Sequence, residues 1–411
     1  MRVALLSCVE AVAGEPQGLR SDLTVGGRSL ARHQLGLALA LGCMRIIVVS
    51  ESLTSDLVDL QRAAEARGAR FHLAASAHAL LPLVTAEDDL IVIADGLLAL
   101  PTLAYPLLDE AAGVLALPID AGLAAGFERI DINHAFAGAM RLPGRMVAAL
   151  ADLPPEWSPQ AALLRIAVQG RLPLRVLPDG ALGEGRWQLL RSEDEAHRAE
   201  PLWLREHTAS EHVRSPGEWI AARLVETIGP ALLHAGTRPV VVALGGAVAL
   251  LLGMGAGWFG WRTPGFALLA LAWLQGRVSS LLVRIERQSL LETVRGMSTG
   301  IWYEALIDLG LVLLMVWRSD TSRMAGVPLA VVWFAPITLM ALLHYLPRVM
   351  PERPATWWLR DRLVAGFALA AASALLPFDT TLCLCTLALF GWAIATTPAS
   401  AKANGDLTSR W

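Results

Sequence analysis

Three carboxylates lie where carboxylates are costly to keep. Glu286, Glu304 and Asp308 sit within or at the ends of long apolar runs in the second half of the chain. A charged side chain in a membrane-length apolar segment is expensive and usually serves a function. Glu304 and Asp308 are one helical turn apart and share a helix face, and Gly300 precedes them by one more turn. Arg277 lies inside the preceding apolar run, and Arg284, Arg287 and Arg295 follow it. Acids and arginines gathered at one membrane–water boundary suit a divalent cation and a phosphate-bearing substrate. The same residues suit a plainer reading, in which the acids pair with Arg284, Arg287 and Arg295 as structural ion pairs.

A second set lies in the first half. A short apolar run at 3–6 leads into a polar loop with Gly14, Gly18, Arg20, Gly26, Gly27 and Arg28. Backbone N–H groups and a guanidinium can cradle phosphates there. Asp95 closes a later apolar run in Ala94-Asp95-Gly96, where a carboxylate can hold Mg²⁺ or Mn²⁺. Loop glycines are also ordinary turn residues, and a strand-end Asp is often a cap. Asp131 and His134, in the stretch DINH, have the types of a metal pair but read as a connecting loop.

The elements that must position these residues divide the chain in two. Over 1–205, β-branched or apolar runs at 3–6, 45–50, 69–73, 90–93 and 113–118 alternate with helical patterns at 29–41 and 57–67. That alternation predicts an α/β, Rossmann-like sheet with helices on both faces, whose ligands bind beyond the carboxyl ends of the strands. Further on, 158–170 reads as a helix, 172–176 and 187–190 as strands, and Glu193 to His197 as a solvated turn or helix start. Residues 206–238 hold an amphipathic juxtamembrane helix from 216 to 233, suited to the membrane interface. Residues 239–401 contain six apolar runs, at 239–261, 263–283, 300–317, 325–347, 363–378 and 380–401, each near the roughly 20 residues that cross a bilayer. A polar tail, 402–411, follows.

Composition agrees. The 411 residues are 55% hydrophobic and 17% charged, with a mean hydropathy of +0.49, too apolar for an ordinary soluble enzyme of this size. The net charge of -3 lacks the basic excess of a nucleic-acid protein. Four cysteines without metal-site spacing exclude a zinc module or disulfide scaffold. Cys383 and Cys385, in an apolar run, are expected to pack. The first residues lack a signal-peptide pattern, so the α/β half is expected in the cytoplasm. Arg284, Arg287 and Arg295, then Arg348, Arg353, Arg360 and Arg362, load one side of the spans. Arg262, Arg318 and Arg323 lie on the other. The positive-inside rule predicts a multi-pass protein with both termini cytoplasmic, and the expected location is a bacterial-type inner membrane.

The succession of glycine loop, VGGRSL, helix, RIIVV and VIADG resembles the sugar- and alcohol-phosphate nucleotidyltransferases. That family carries a G-x-G-x-R loop, a Lys-Pro pair before the first long helix and a Gly-Asp pair whose Asp holds a metal. Gly18-Leu19-Arg20 matches the end of the loop, Arg28-Ser29 stands where Lys-Pro is expected, and Ala94-Asp95 stands at Gly-Asp. The second half resembles the CDP-alcohol phosphatidyltransferases, six-span proteins with the motif D-x2-D-G-x2-A-R-x8-G-x3-D-x3-D. Anchored on Gly300, its four acidic positions fall on Val283, Glu286, Glu304 and Asp308, its glycine on Arg287, and its Ala-Arg pair on Leu290-Leu291. Arg360-Asp361 is similar to an Arg-Asp pair found before the fifth span.

The resemblance implies a membrane phospholipid head-group enzyme that moves a phospho-alcohol from or to a CDP-activated intermediate. It implies Asp308 and Glu304 as catalytic, and Mg²⁺ or Mn²⁺ at Glu286, Glu304, Asp308 and Asp95. It places a CDP- or CTP-type nucleotide near Gly18, Arg20, Arg28, Arg277 and Arg287. Its partners are the bilayer, a lipid or alcohol-phosphate substrate and a second copy in a homodimer. The losses at Val283, Arg287 and Arg28 open the alternative of a catalytically inactive homologue that binds, scaffolds or regulates in the same chemistry.

Overall fold

A computed structural model describes residues 1–154, 156–209, 215–234, 239–288, 299–317, 328–350 and 354–396. The chain forms two compact units, one built mainly on residues 1–208 and the other mainly on residues 209–228, 237–283 and 295 onward.

The first unit is an α/β sandwich. Its sheet has seven strands: β1 (Arg2–Ser7), β2 (Arg45–Val49), β3 (Arg70–Ala74), β4 (Asp89–Ile93), β5 (Gly113–Pro118), β6 (His134–Pro143) and β7 (Leu174–Val176). Their order is β7-β5-β6-β4-β1-β2-β3. β1 pairs parallel with β2 and β4, and β2 with β3. β6 runs antiparallel between β4 and β5. RIIVV and DLIVI are buried on both faces, as parallel central strands require. One face packs under α1 (Leu30–Ala40), α2 (Ser55–Glu65) and α3 (Pro101–Asp109), around Leu35, Leu57 and Leu108. After the short α4 (Ile119–Ala124), α5 (Pro159–Gln169) covers the other face with Leu163 and Ile166. β6, α3, α4 and the full length of α6 (Glu193–Ala209) go beyond the sequence expectations; the other elements named here fall within a few residues of them. Asp131, expected in a loop, accepts from the Asn133 and His134 amides and from His134 Nδ1, forming the turn that opens β6.

The second unit is helical: α7 (Pro216–His234), α8 (Pro239–Trp258), α9 (Arg262–Gln288), α10 (Thr299–Val316), α11 (Leu329–Val349), α12 (Pro354–Leu359), α13 (Arg362–Leu375) and α14 (Phe378–Thr396). Four helices among the described residues are long and apolar enough to cross a membrane: Val240–Trp258, Arg262–Arg284, Leu329–Val349 and Phe378–Ala395. Arg362–Leu375 is a shorter apolar helix, and α10 falls on the expected third run. Helices approach closely where a glycine admits a large side chain. Tyr303 of α10 wedges between α8 and α9: a Cβ on Gly276 would lie 2.2 Å from its ring, and one on Gly246 2.5 Å from its hydroxyl. The hydroxyl donates to the Ala272 carbonyl at 2.7 Å. Cys383 and Cys385, expected to pack, are exposed on α14 among the described residues.

Candidate functional site

In the α/β unit, Asp95, Arg20 and Glu10 come together beyond the carboxyl ends of β1 and β4. Asp95 follows β4 and is only 2% exposed. Its Oδ2 accepts from the Val9 and Glu10 amides, both at 2.8 Å, so it ties down the chain just after β1. Its Oδ1 is buried without a hydrogen-bond partner. Burial, with the Glu10 carboxylate adding to it, pushes the Asp95 carboxyl up to about 7, against the pull of the two amides and Arg20. Arg20 forms an ion pair with Glu10 and donates to the Ala11 carbonyl. The Arg20 side chain passes Gly96, whose positive φ of 78° and crowding by the Leu190 carbonyl leave no room for a side chain.

Gly18 is in the strand Glu15–Leu19, paired with Ala11–Val12. Arg28 is in a tight hairpin, Thr24–Val25 against Arg28–Ser29, closed by Gly26 and Gly27 with φ of 61° and 73°. The Gly26 amide donates to the buried Glu200 carboxylate of α6 at 2.8 Å. Trp203, one turn further along α6, stacks edge-on to His33 of α1 at 5.1 Å. Where a nucleotide-gripping loop is expected, the amides of Val9, Glu10 and Gly26 are therefore spent on the protein's own carboxylates. Glu10 and Glu200 were not legible as site residues, since an isolated acid in a polar stretch carries no spacing signal.

In the helical unit, the two acids of α10 each meet an arginine. Asp308 accepts both arms of one guanidinium: Arg362 Nε donates to Oδ1 at 2.7 Å and Nη2 to Oδ2 at 3.3 Å. The pair is well enclosed, with side-chain exposures of 14% and 7%. His344 of α11 completes it, with Nε2 3.2 Å from Asp308 Oδ2 and Nδ1 3.0 Å from Arg362 Nη2. A ring protonated on Nε2 donates to Asp308 and accepts from Arg362. Arg362 also donates to the Leu359 and Arg360 carbonyls. Glu304 is looser: it is 52% exposed and lies 3.8 Å from Arg277 Nη1. Arg277, held over the Trp273 ring, sends its other arm to Glu218 of α7 at 3.2 Å. Buried Asp361 caps two helices. Its Oδ1 accepts from the Leu363 and Val364 amides of α13, and its Oδ2 from the Gly217 amide of α7.

Among the described residues, Glu304 and Asp308 do form ion pairs, with Arg277 and Arg362. Arg277 comes from the body of α9 and Arg362 from the start of α13. The side chains of Glu286 and Arg287, and all of Arg295, lie outside the described residues. A divalent cation takes oxygen donors that no other cation already holds. Asp308 gives both its oxygens to Arg362, and Asp95 gives one to two amides. Among the described residues no three His, Cys, Asp or Glu side chains converge so as to hold a metal ion. As arranged, the described residues do not fit a divalent cation.

No family model matches the chain, and no curated protein matches it. Solved structures are similar in fold. UDP-glucose pyrophosphorylase in complex with UDP-glucose has 12% identity and a TM-score of 0.37, over 50% of this chain and 99% of that one. UDP-glucose pyrophosphorylase from Acinetobacter baumanii has 15% and 0.36, over 50% and 94%. Inositol-1-phosphate CTP transferase from T. maritima has 14% and 0.35, over 47% and 91%. A likeness at this level carries no chemistry across. The molecule is an α/β unit followed by a helical unit that holds, among the described residues, four membrane-length helices.

Proposed function

We propose that the protein is a multi-pass membrane homologue of phospholipid head-group enzymes that binds or scaffolds instead of transferring. On this reading all six apolar runs span the bilayer, with both termini on the cytoplasmic side. Its partners are the bilayer and an alcohol-phosphate or lipid ligand. The observation that carries the reading is the two-armed Arg362–Asp308 pair. The residue that the resemblance makes catalytic has both oxygens on a guanidinium, with His344 against one of them, and these compete with a hydroxyl for the same carboxylate. The internal occupation of the loop amides by Asp95 and Glu200 supports the same reading for the α/β unit.

A second reading, metal-dependent transfer of a phospho-alcohol from or to a CDP-activated intermediate, is favoured by the exposed Glu304 carboxylate and the Gly300–Glu304–Asp308 spacing. Release of CMP separates the two. Purified full-length protein in lipid, given Mg²⁺ or Mn²⁺, a panel of CDP-alcohols and lipid acceptors, is expected to release none above background. Metal-dependent release that is lost in D308N establishes transfer and overturns the first reading.

A further inference from the structure

We propose that Arg362 is a tethered cation, built into the position that a divalent metal would otherwise take beside Asp308, and that it excludes metal from the membrane unit. This deepens the non-transferring reading and rests on it.

The argument begins with charge. A carboxylate enclosed among apolar helices needs a cation close by or it will not stay ionised. Either a metal or a guanidinium meets that need. A guanidinium has a fixed fork that fits a carboxylate with two parallel N–H donors. Arg362 makes that fit, with contacts of 2.7 and 3.3 Å to the two Asp308 oxygens.

The fork is itself held from behind. Nη1 donates to the carbonyls of Leu359 and Arg360, at 3.0 and 3.2 Å, where the chain turns from α12 into α13. Nη2 also reaches His344 on α11. Asp361, the residue before it, caps α13 through the Leu363 and Val364 amides, fixing the backbone from which Arg362 projects. The cation is thus anchored by α10, α11 and the α12–α13 turn. It is a preorganised part of the fold and not a surface side chain that swings onto an acid.

The neighbouring acid is treated in the same way but less completely. Glu304 faces Arg277, which is shared with Glu218 and stacked on Trp273. Among the described side chains, Arg277 lies between Glu218 and Glu304, and Arg362 lies on Asp308 with His344 beside both. With the Arg362 charge removed, Asp308 and Glu304, one helical turn apart, are left as carboxylate donors of the kind a divalent cation takes.

The proposal therefore predicts a latent metal site. Full-length protein in detergent or nanodiscs is titrated with Mn²⁺ alone, and free Mn²⁺ is followed by electron paramagnetic resonance. Wild type is expected to show no saturable site below millimolar Mn²⁺. R362Q keeps much of the side chain's volume without its charge. It is expected to gain Mn²⁺ affinity by tenfold or more, and R362Q/D308N to lose that gain. Saturable binding by wild type that D308N abolishes overturns the proposal, and it needs no variant of Arg362 to fold. Failure of both wild type and folded R362Q to bind also overturns it, because something other than Arg362 then excludes the metal. If R362Q does not fold, R362K supplies the second arm. One ammonium cannot fill both oxygens, so R362K is expected to bind Mn²⁺ more tightly than wild type, and equality with wild type counts against the proposal. CMP release would instead sink the functional reading, and the two failures are read in separate assays.

Discussion

At the residue scale, the candidate site consists of carboxylates that the protein supplies with its own donors. Asp308 and Arg362 form an enclosed pair, so removing one partner leaves a charge without compensation. D308N is expected to lower the stability of the solubilised protein by about 3 kcal/mol, read as a fall in thermal midpoint. The charge-neutral double variant D308N/R362Q should recover part of that loss. Asp95 behaves differently, because its partners are amides and its second oxygen has none. Its folded-state carboxyl sits near 7 against an ordinary value of 3.8. Between those values the folded state holds the proton and the unfolded state has lost it, so stability falls as pH rises from about 4 to 7 and is flat above. The slope from this one group is at most about 1.4 kcal/mol per pH unit. D95N has no such group, so subtracting its pH–stability curve from that of wild type should isolate the slope. A difference curve that rises from pH 5 to 7 contradicts the burial account.

At the scale of elements, α6 and α7 do more than connect. Glu200 and Trp203 of α6 close on the Gly26–Gly27 turn and on α1. A Cβ on Gly26 would need φ of 61° and would lie 2.5 Å from the Trp203 ring. G26A is therefore expected to cost about 2 kcal/mol or more, measured by denaturant unfolding. W203G, which makes the space, should restore little, because the positive φ remains. The start of α7 is pinned twice, by the Gly217 amide on Asp361 and by Glu218 on Arg277. A Cβ on Gly217 would lie 2.5 Å from an Asp361 oxygen and 2.7 Å from Trp273. G217A should then raise hydrogen exchange across the first turns of α7 and of α13 together, since both are capped by that one carboxylate. Exchange that rises in α7 alone would show that the shared cap is not what couples them.

At the scale of the molecule, the broad division was legible and the fine pairing was not. Buried β-branched runs such as RIIVV name central parallel strands, and long runs such as that in α8 name membrane-length helices, because burial leaves its mark on every residue of the element. β6 was missed because HAFAGAMRLP mixes small residues with an arginine and has no clean period of two. Arg362 as the partner of Asp308 was missed for another reason: helix packing brings it from 54 positions away, where no spacing rule reaches. Tyr303 is wedged against Gly246 and Gly276, and no spacing rule exposes such a wedge. Asp95 was legible as a strand-end acid, but its engagement by the Val9 and Glu10 amides was not, because backbone donors leave no trace in the sequence.

The central claim is that the acids of α10 are neutralised from within by arginines. An experimental structure of the full chain in lipid nanodiscs, determined in millimolar Mn²⁺ with a CDP-alcohol present, tests this most directly. The account predicts Arg362 in two-armed contact with Asp308 and no metal density between Asp308 and Glu304. Metal bridging those two carboxylates, with the Arg362 guanidinium displaced from Asp308, would contradict it.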